Sequence, residues 1–201
     1  GKGLFLKEIE EKLLDGEIDI AVHSMKDVPA VLPDGLIIDS VLPREDVRDA
    51  FVSLKYNNLN ELPAGAVIGT SSSRRKALIL NVRSDLRIMN FRGNVNTRLT
   101  KLENDEVDAT ILAVAGLKRV GQLASIKQIF KEEEILPAVA QGAIGIEHRV
   151  GDAKIAAILQ RVNHLPTFIC TQAERSFLLH IGGDCTSPIA ALCKIEQDLL
   201  H

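Results

Sequence analysis

The segment from residue 67 to residue 119 alternates strands with helices, and this alternation constrains the fold more than any other feature of the sequence. Apolar strands are predicted at 67–69, 86–89 and 108–115, with a helix in each of the two intervals between them. The last of these segments is almost continuously apolar, which is typical of a strand buried on both faces. Helices that separate successive strands favour a parallel or mixed sheet, so the sequence predicts an α/β fold.

Arginines follow each of these three strands. The carboxyl ends of parallel strands share one edge of a sheet, and α/β proteins bind ligands at that edge. The turn at 70–73 adds hydroxyl groups and the N-terminus of a helix, whose dipole attracts anions. The pattern therefore predicts a site for a ligand with several negative groups; the alternative is a serine-rich helix cap with solvated arginines. The arginines concerned are Arg74, Arg75, Arg92, Arg98 and Arg119.

A second candidate site lies nearer the start of the chain. Apolar residues alternate over 18–22 as expected for a short strand, and Pro29 then excludes the helical region for the residue before it. Ser24, Lys26 and Asp27 are consequently predicted where a strand ends and a loop begins. A carboxylate beside an ammonium group at such a position is a candidate binding site, or else a solvated turn.

The rest of the chain is predicted to form further helices and strands joined by short polar segments. Residues 43–50 are charged and turn-like, and they are the first candidate linker between two lobes. The small apolar residues of 138–148 predict a strand that returns from the second lobe. The remaining predicted elements are helices at 4–14, 152–163 and 167–180 and strands at 36–42 and 189–195.

Composition argues against several classes of function. The formal net charge is −3 and only 3% of the residues are aromatic, which disfavours a nucleic-acid surface built on stacked bases. No apolar run approaches the roughly 18 residues that a membrane span needs. The five histidines and three cysteines lack the spacing of metal ligands, so no metal site is predicted. An odd number of cysteines favours reduced thiols in the cytoplasm.

Cys185 differs from the other two cysteines in its surroundings. It lies in a Gly-Gly-Asp-Cys-Thr loop, where a thiol would be accessible, whereas Cys170 and Cys193 fall inside predicted apolar elements. We therefore treat Cys185 as a candidate reactive or derivatised cysteine.

Six motifs resemble the porphobilinogen deaminase family, whose members are also called hydroxymethylbilane synthases. The motifs keep the family's order and spacing and cover nearly the whole chain. They are HSMKDVP at 23–29, GTSSSRR at 69–75, FRGNVNTRL at 91–99, LAVAGLKR at 112–119, PAVAQGA at 137–143 and GDCTSPI at 183–189.

The resemblance implies a transferase of tetrapyrrole (haem) biosynthesis. Such an enzyme joins four porphobilinogen molecules head to tail and releases ammonia. Hydrolysis then frees the linear tetrapyrrole, hydroxymethylbilane, from the enzyme. By motif position, a dipyrromethane cofactor would be attached through a thioether to Cys185. Asp27 would be the catalytic aspartate that stabilises the cationic azafulvene formed when ammonia departs, with Lys26 beside it helping to keep it ionised.

The resemblance also implies how the carboxylates of cofactor and substrate are bound. The acetate and propionate groups would contact Arg74, Arg75, Arg92, Arg98 and Arg119. Supporting contacts would come from Ser24, Thr70, Ser72 and Gln141. The partner is thus expected to be a small molecule bound by a cytoplasmic monomer, without nucleic acid, membrane or metal.

The implied fold has two lobes like those of periplasmic binding proteins, with mixed sheets and hinge strands, plus part of a small α+β third domain. The expected bounds are 1–42 for domain 1, 43–137 for domain 2, 138–164 for the return to domain 1, and 165–201 for domain 3. The family pattern extends beyond both ends of this sequence, so the chain is expected to be truncated at both termini and to lack the first strand of domain 1.

Two other interpretations stay open from the sequence alone. A non-catalytic two-lobed receptor for a small polycarboxylate would need the arginines but neither Cys185 nor Asp27. A truncated product would fold poorly, because a missing strand exposes apolar surface and an unpaired sheet edge.

Overall fold

A computed structural model describes the backbone of residues 2–183 and 187–201, and the side chains from residue 6 onward within these ranges. The helices, in chain order, are α1 (Lys2–Leu14), α2 (Ser73–Val82), α3 (Val95–Glu103), α4 (Val114–Arg119), α5 (Ala153–Gln160) and α6 (Leu165–His180). The strands are β1 (Ala21–Ser24), β2 (Leu36–Val41), β3 (Asp49–Val52), β4 (Val67–Gly69), β5 (Arg87–Met89), β6 (Ala109–Ala113), β7 (Ile126–Ile129), β8 (Ile144–Arg149), β9 (Ile195–Glu196) and β10 (Leu199–Leu200).

The chain divides into two compact units. Unit 1 comprises Gly1–Glu45, Ala143–Cys185 and Leu192–His201, and unit 2 comprises Asp46–Gly142 and Thr186–Ala191. The expected bounds of three domains stay a prediction. None of the described helices is long and apolar enough to cross a membrane.

Unit 2 is built on a five-stranded mixed sheet with the order β5-β4-β6-β3-β7. Strand β4 pairs in parallel with β5 and β6, whereas β3 pairs antiparallel with β6 and β7. The predicted mixed sheet is therefore confirmed. Its core is fully buried at Phe51, Ile68 and Ile111, and helix α2 packs Ile79 into the same cluster. Because β4, β5 and β6 are parallel, the loops that follow them emerge at one edge of the sheet.

Unit 1 contains a smaller sheet with the order β1-β8-β2, in which β8 runs antiparallel to both neighbours. The register between β2 and β8 shifts between Ile38 and Ser40. Helix α1 covers this sheet through Leu13, which is fully buried in a cluster with Ala21 and Leu36.

Five secondary-structure predictions need correction. The strand predicted over 18–22 begins only at Ala21, and its alternating residues Ile20 and Val22 do not face a core, because both are exposed while Ala21 is buried. The proposed linker 43–50 ends inside strand β3, and the proposed strand 108–115 ends at residue 113, where α4 begins. The strand placed at 138–148 starts only at residue 144, because Ala140 takes a left-handed backbone conformation with φ +56°. The strand placed at 189–195 is wrong as well: residues 189–194 have no regular structure, and the Cys193 N–H donates to the Glu174 carboxylate instead of to a strand.

Candidate active site

Strand β1 ends in a single 3₁₀ turn that carries Lys26 and Asp27. The turn spans Met25–Asp27 and follows directly on Ser24, which is exposed. The Met25 N–H donates to the carbonyl oxygen of Ala143 (3.1 Å), and the Met25 side chain is buried. Lys26 is half-buried and Asp27 is exposed. The turn therefore presents a carboxylate beside an ammonium group at the end of a strand.

Met25 packs against a glycine of the neighbouring strand β8. A Cβ atom at Gly145 would collide with the Met25 Sδ and would lie 2.9 Å from the Cγ2 of Ile38. Only glycine leaves room for the methionine there, so the position of the Lys26–Asp27 turn depends on Gly145.

In unit 2, strand β4 leads through a hydroxyl-rich turn into helix α2. Ser72 is the N-cap, and its Oγ accepts a hydrogen bond from the Arg75 N–H (3.3 Å). The Thr70 Oγ1 accepts from the Ser72 N–H (3.2 Å) and is buried with its side chain. The strand comes close to the next loop at Gly69, where a Cβ atom would lie 2.6 Å from the ring of Phe91. This local geometry fixes the helix N-terminus at the carboxyl edge of the sheet.

Arg74 and Arg75 point into unit 2 and share one buried carboxylate. Arg74 Nη2 donates to Asp49 Oδ2 (2.7 Å) and Arg75 Nη2 donates to Asp49 Oδ1 (2.6 Å). Gln141 Nε2 donates to the same Oδ1 (2.9 Å). The remaining Nη atoms donate to backbone carbonyl oxygens, Arg74 to Leu136 (2.6 Å) and Arg75 to residue 111 (2.9 Å). We call Arg74, Arg75, Gln141 and Asp49 the Asp49 network.

The Asp49 network is buried and carries a net positive charge. Asp49 is fully buried, while Arg74 and Arg75 are 4% and 5% exposed. Burial by itself would raise the pKa of Asp49, but the adjacent guanidinium groups of Arg75 and Arg74 hold it well below its usual range. Two guanidinium groups thus face one ionised carboxylate. A negative group of a ligand close to this network would balance the surplus charge.

Arg92 and Arg98 flank the glycine that follows strand β5. Gly93 has φ +130°, and a Cβ atom there would lie 2.7 Å from Thr97 Cγ2. The Arg98 Nε donates to the carbonyl oxygen of Gly93 (2.9 Å), while Asn94 caps helix α3 by accepting from the Thr97 N–H (2.8 Å). The Arg92 side chain is exposed. Its guanidinium group forms no hydrogen bond or ion pair within the part of the chain that the structure describes.

Arg119 lies at the end of helix α4 and contacts the segment that contains Gln141. Its Nη2 donates to the carbonyl oxygen of Gly142 (3.0 Å). Gln141 is buried, and besides Asp49 its Nε2 contacts the carbonyl oxygen of Val47 (2.6 Å). The left-handed conformation of Ala140 turns the chain just before Gln141.

The predicted site residues thus form three groups. Ser24, Lys26 and Asp27 follow one another in unit 1, and in unit 2 Arg74, Arg75 and Gln141 meet on Asp49. A third group, also in unit 2, lies in the loops and helices after β4, β5 and β6 and consists of Thr70, Ser72, Arg92, Arg98 and Arg119. Cys185 lies outside the described residues.

Asp49 is a functional candidate that the sequence did not reveal. The sequence places it in a charged linker, and its charge alone does not distinguish it from Asp46. A signal existed only in the three apolar residues that follow it, which predict that the chain enters a core. No group of three His, Cys, Asp or Glu side chains that could hold a metal ion occurs in the described ranges.

Comparison with known proteins identifies the family. The family model "Porphobilinogen deaminase, dipyromethane cofactor binding domain" matches residues 1–157. The porphobilinogen deaminase of Paracoccus denitrificans is 52% identical over 201 residues, all of this chain and 64% of that protein. The chloroplastic porphobilinogen deaminase of Oryza sativa is 52% identical over 198 residues, 98% of this chain and 55% of that protein. The chain therefore spans about 64% and 55%, respectively, of the lengths of these two relatives.

Comparison with solved structures shows the fold alone. A lipoprotein from Bacillus subtilis superposes with a TM-score of 0.52 at 16% identity, covering 80% of this chain and 76% of that protein. The predicted α/β lobes of periplasmic-binding-protein type are thereby confirmed.

Proposed function

Because this chain belongs to the porphobilinogen deaminase family, we propose that it carries the substrate- and cofactor-binding parts of a hydroxymethylbilane synthase. Such a transferase joins four porphobilinogen molecules head to tail, releases ammonia and yields hydroxymethylbilane for tetrapyrrole biosynthesis. The observation that carries the proposal is the 52% identity that extends over all 201 residues. We further propose that the enzyme acts as a monomer in the cytoplasm.

Asp27 is the catalytic residue of this proposal. Departure of ammonia from porphobilinogen leaves a cationic fragment, and an ionised carboxylate held close to it lowers the energy of that charge. The exposed carboxylate at the end of β1 supports this role, since a substrate can reach it. Lys26 is its neighbour in the same 3₁₀ turn.

The carboxylates of substrate and product would be bound in unit 2. Arg92 is exposed and well suited to a direct contact, and Arg98 and Arg119 lie in the neighbouring elements. Arg74, Arg75 and Gln141 would act through the Asp49 network, in which the two buried guanidinium groups supply one positive charge more than Asp49 balances. Ser72 and Thr70 supply hydroxyl groups at the N-terminus of α2, and Ser24 supplies one beside the catalytic turn.

A dipyrromethane cofactor fits this set of donors. Each of its two pyrrole rings carries two carboxylates, and the first turns of α2 and α3 contain no acidic residue that would repel them. The arginines named above would hold its acetate and propionate groups, and Cys185 would attach it through a thioether. When bound, the cofactor supplies the primer onto which pyrrole units are added.

The test uses a completed chimera, in which this sequence replaces the matching part of the Paracoccus denitrificans protein. Purified chimera is supplied with porphobilinogen, and we measure substrate loss, ammonia release and the tetrapyrrole product. We expect turnover by the chimera and a loss of at least about 100-fold in Asp27→Asn, whereas Asp34→Asn, an exposed aspartate in the following loop, should match the unsubstituted enzyme. Turnover in Asp27→Asn equal to that in Asp34→Asn would remove Asp27 from the mechanism, and a well-folded but inactive chimera would contradict the proposed function.

A further inference from the structure

The loop that follows Asp27 is held by an arginine from a distant part of unit 1. We propose that Arg175, on helix α6, is a positioning residue that fixes the Lys26–Asp27 turn for catalysis. The inference rests on the proposed function and deepens it, because it names a residue that acts on the reaction only through Asp27.

The contact consists of three hydrogen bonds from one guanidinium group to three successive carbonyl oxygens. Arg175 Nη1 donates to Val28 O (3.2 Å), and Arg175 Nη2 donates to Pro29 O (2.6 Å) and to Ala30 O (3.3 Å). The first of these carbonyl groups belongs to the residue directly after Asp27. The guanidinium fork therefore clamps the chain one peptide away from the proposed catalytic carboxylate.

Arg175 makes this contact from a buried position. Its side chain is 8% exposed, and burial lowers its pKa. No carboxylate within the described ranges forms an ion pair with it or offsets that effect. A buried cation is costly unless its donors are satisfied, and here backbone carbonyl groups satisfy them. The loop and the arginine consequently depend on each other.

Residues 28–35 form bends and turns without a helix or strand, and Pro29 has no N–H to donate. At its far end the loop is tied to the residue after β8, because the Val150 N–H donates to Gly35 O (2.8 Å). Val28 is tied to the turn by its N–H, which donates to Met25 O (3.2 Å). On the other side of the turn, Met25 packs against Gly145. The Lys26–Asp27 turn is thus fixed before Asp27 by packing and after Asp27 by Arg175.

This arrangement predicts an effect on the rate of the chemical step rather than on substrate binding. A displacement of about 1 Å at a catalytic group can lower the rate about 100-fold. In the completed chimera we expect Arg175→Gln to lower kcat by about 10- to 100-fold with KM changed less than about 3-fold. The kcat of Arg175→Lys should lie between those of Arg175→Gln and the unsubstituted chimera, because an ammonium group reaches one carbonyl oxygen but cannot span three.

Arg149 provides a matched control in the same unit. Its Nη1 also donates to two backbone carbonyl oxygens, those of Leu13 (2.8 Å) and Ile18 (2.7 Å), but neither adjoins the catalytic turn. The Arg149 Nη2 also forms ion pairs with Asp19 (3.0 Å) and Asp152 (3.2 Å). Arg149→Gln should therefore lower the free energy of unfolding at least as much as Arg175→Gln and leave kcat within about 2-fold. Equal losses of kcat in Arg149→Gln and Arg175→Gln would overturn the proposal, because a general loss of stability would then explain both.

A chemical rescue sharpens the distinction. Arg175 lines an open cavity of about 610 Å³ together with Ala30, Phe168 and Ser176, which gives a small cation access to the vacated place. Methylguanidinium should raise kcat of Arg175→Ala by about 5-fold or more and should not affect Arg149→Ala. Equal stimulation of both variants, or of neither, would overturn the proposal.

A second measurement decides the positioning role without any turnover. Amide hydrogen exchange in the 201-residue chain should rise about 10-fold at residues 25–28 in Arg175→Gln and remain unchanged there in Arg149→Gln. Unchanged exchange in Arg175→Gln would refute positioning even in an active enzyme. If the unsubstituted chimera failed to turn over porphobilinogen while this exchange difference was present, the proposed function would fail and the structural role of Arg175 would stand.

Discussion

Replacing Asp49 by asparagine tests the buried charge arrangement of unit 2. The side chain accepts three hydrogen bonds of 2.6–2.9 Å, two from guanidinium groups and one from Gln141. Asparagine is nearly isosteric, but it removes the negative charge and turns one acceptor into a donor that faces an arginine. Removing one partner of a buried ion pair costs about 3–5 kcal/mol. We expect Asp49→Asn to lose that much free energy of unfolding, a large share of the total of about 5–15 kcal/mol for a typical domain.

The loss is measured by urea unfolding of the 201-residue chain at pH 7. Far-ultraviolet circular dichroism is the suitable signal, because the chain has no tryptophan and a single tyrosine. Asp46→Asn is the matched control: Asp46 pairs with Arg48 (2.7 Å) with the two side chains 23% and 41% exposed, and such a pair is worth less than about 1 kcal/mol. A loss for Asp49→Asn below about 1 kcal/mol, or equal to that of the control, would refute the reasoning.

The stability difference between the unsubstituted chain and Asp49→Asn should depend on pH. The pKa of Asp49 in the folded protein lies below the ordinary value of 3.8, so the folded state favours its ionised form. Its stabilising contribution is therefore complete above about pH 4 and disappears as the pH falls through the folded pKa. The stability difference between the unsubstituted chain and Asp49→Asn should be constant from pH 5 to pH 7 and should narrow below about pH 4. A difference that widened in acid would contradict the assigned direction.

Three further predictions concern the packing of Gly145, the arginines Arg92 and Arg98 of unit 2 and the buried Glu10. Gly145→Ala should lose about 1–3 kcal/mol of unfolding free energy through the collision with Met25, and adding Met25→Ala should recover part of that loss; a double variant with additive losses would contradict the packing argument. Neutralising Arg92 or Arg98 in the completed chimera should stall elongation, so that mass spectrometry detects enzyme with shortened pyrrole chains, whereas intermediates unchanged from the unsubstituted chimera would count against those residues. Glu10→Gln should increase the free energy of unfolding at pH 7, because burial raises the pKa of Glu10 above 4.5 and its ionised form therefore destabilises the folded state. Urea unfolding at pH 5 and pH 7 measures this gain, which should be larger at pH 7. A larger gain at pH 5 would contradict the direction of the pKa shift.

Local sequence patterns predicted those features that depend on contacts between residues close together in the sequence. The turn at 70–73 predicted a capped helix, and Ser72 is the N-cap of α2. The apolar run at 108–115 predicted a buried strand, and every residue of β6 is buried. Both features depend on neighbours within a few positions, which is the range over which periodicity and capping rules operate.

The Asp49 network could not be predicted in this way. Its members lie 25, 26 and 92 residues from Asp49, so no local window contains them together. The sequence predicts that Arg74 and Arg75 face a ligand because they follow a strand end at the N-terminus of a helix. The Arg175 contact is a similar case, since it joins a helix to carbonyl groups about 146 residues earlier, and carbonyl groups leave no trace in side-chain patterns.

The most direct measurement of the central claim is the intact mass of the denatured completed chimera, beside that of its Cys185→Ser variant. We expect the chimera to carry the added mass of two linked pyrrole units and the variant to lack it. An unmodified mass in a soluble, folded chimera, or the same added mass in both proteins, would contradict the claim that this chain holds a dipyrromethane cofactor through Cys185.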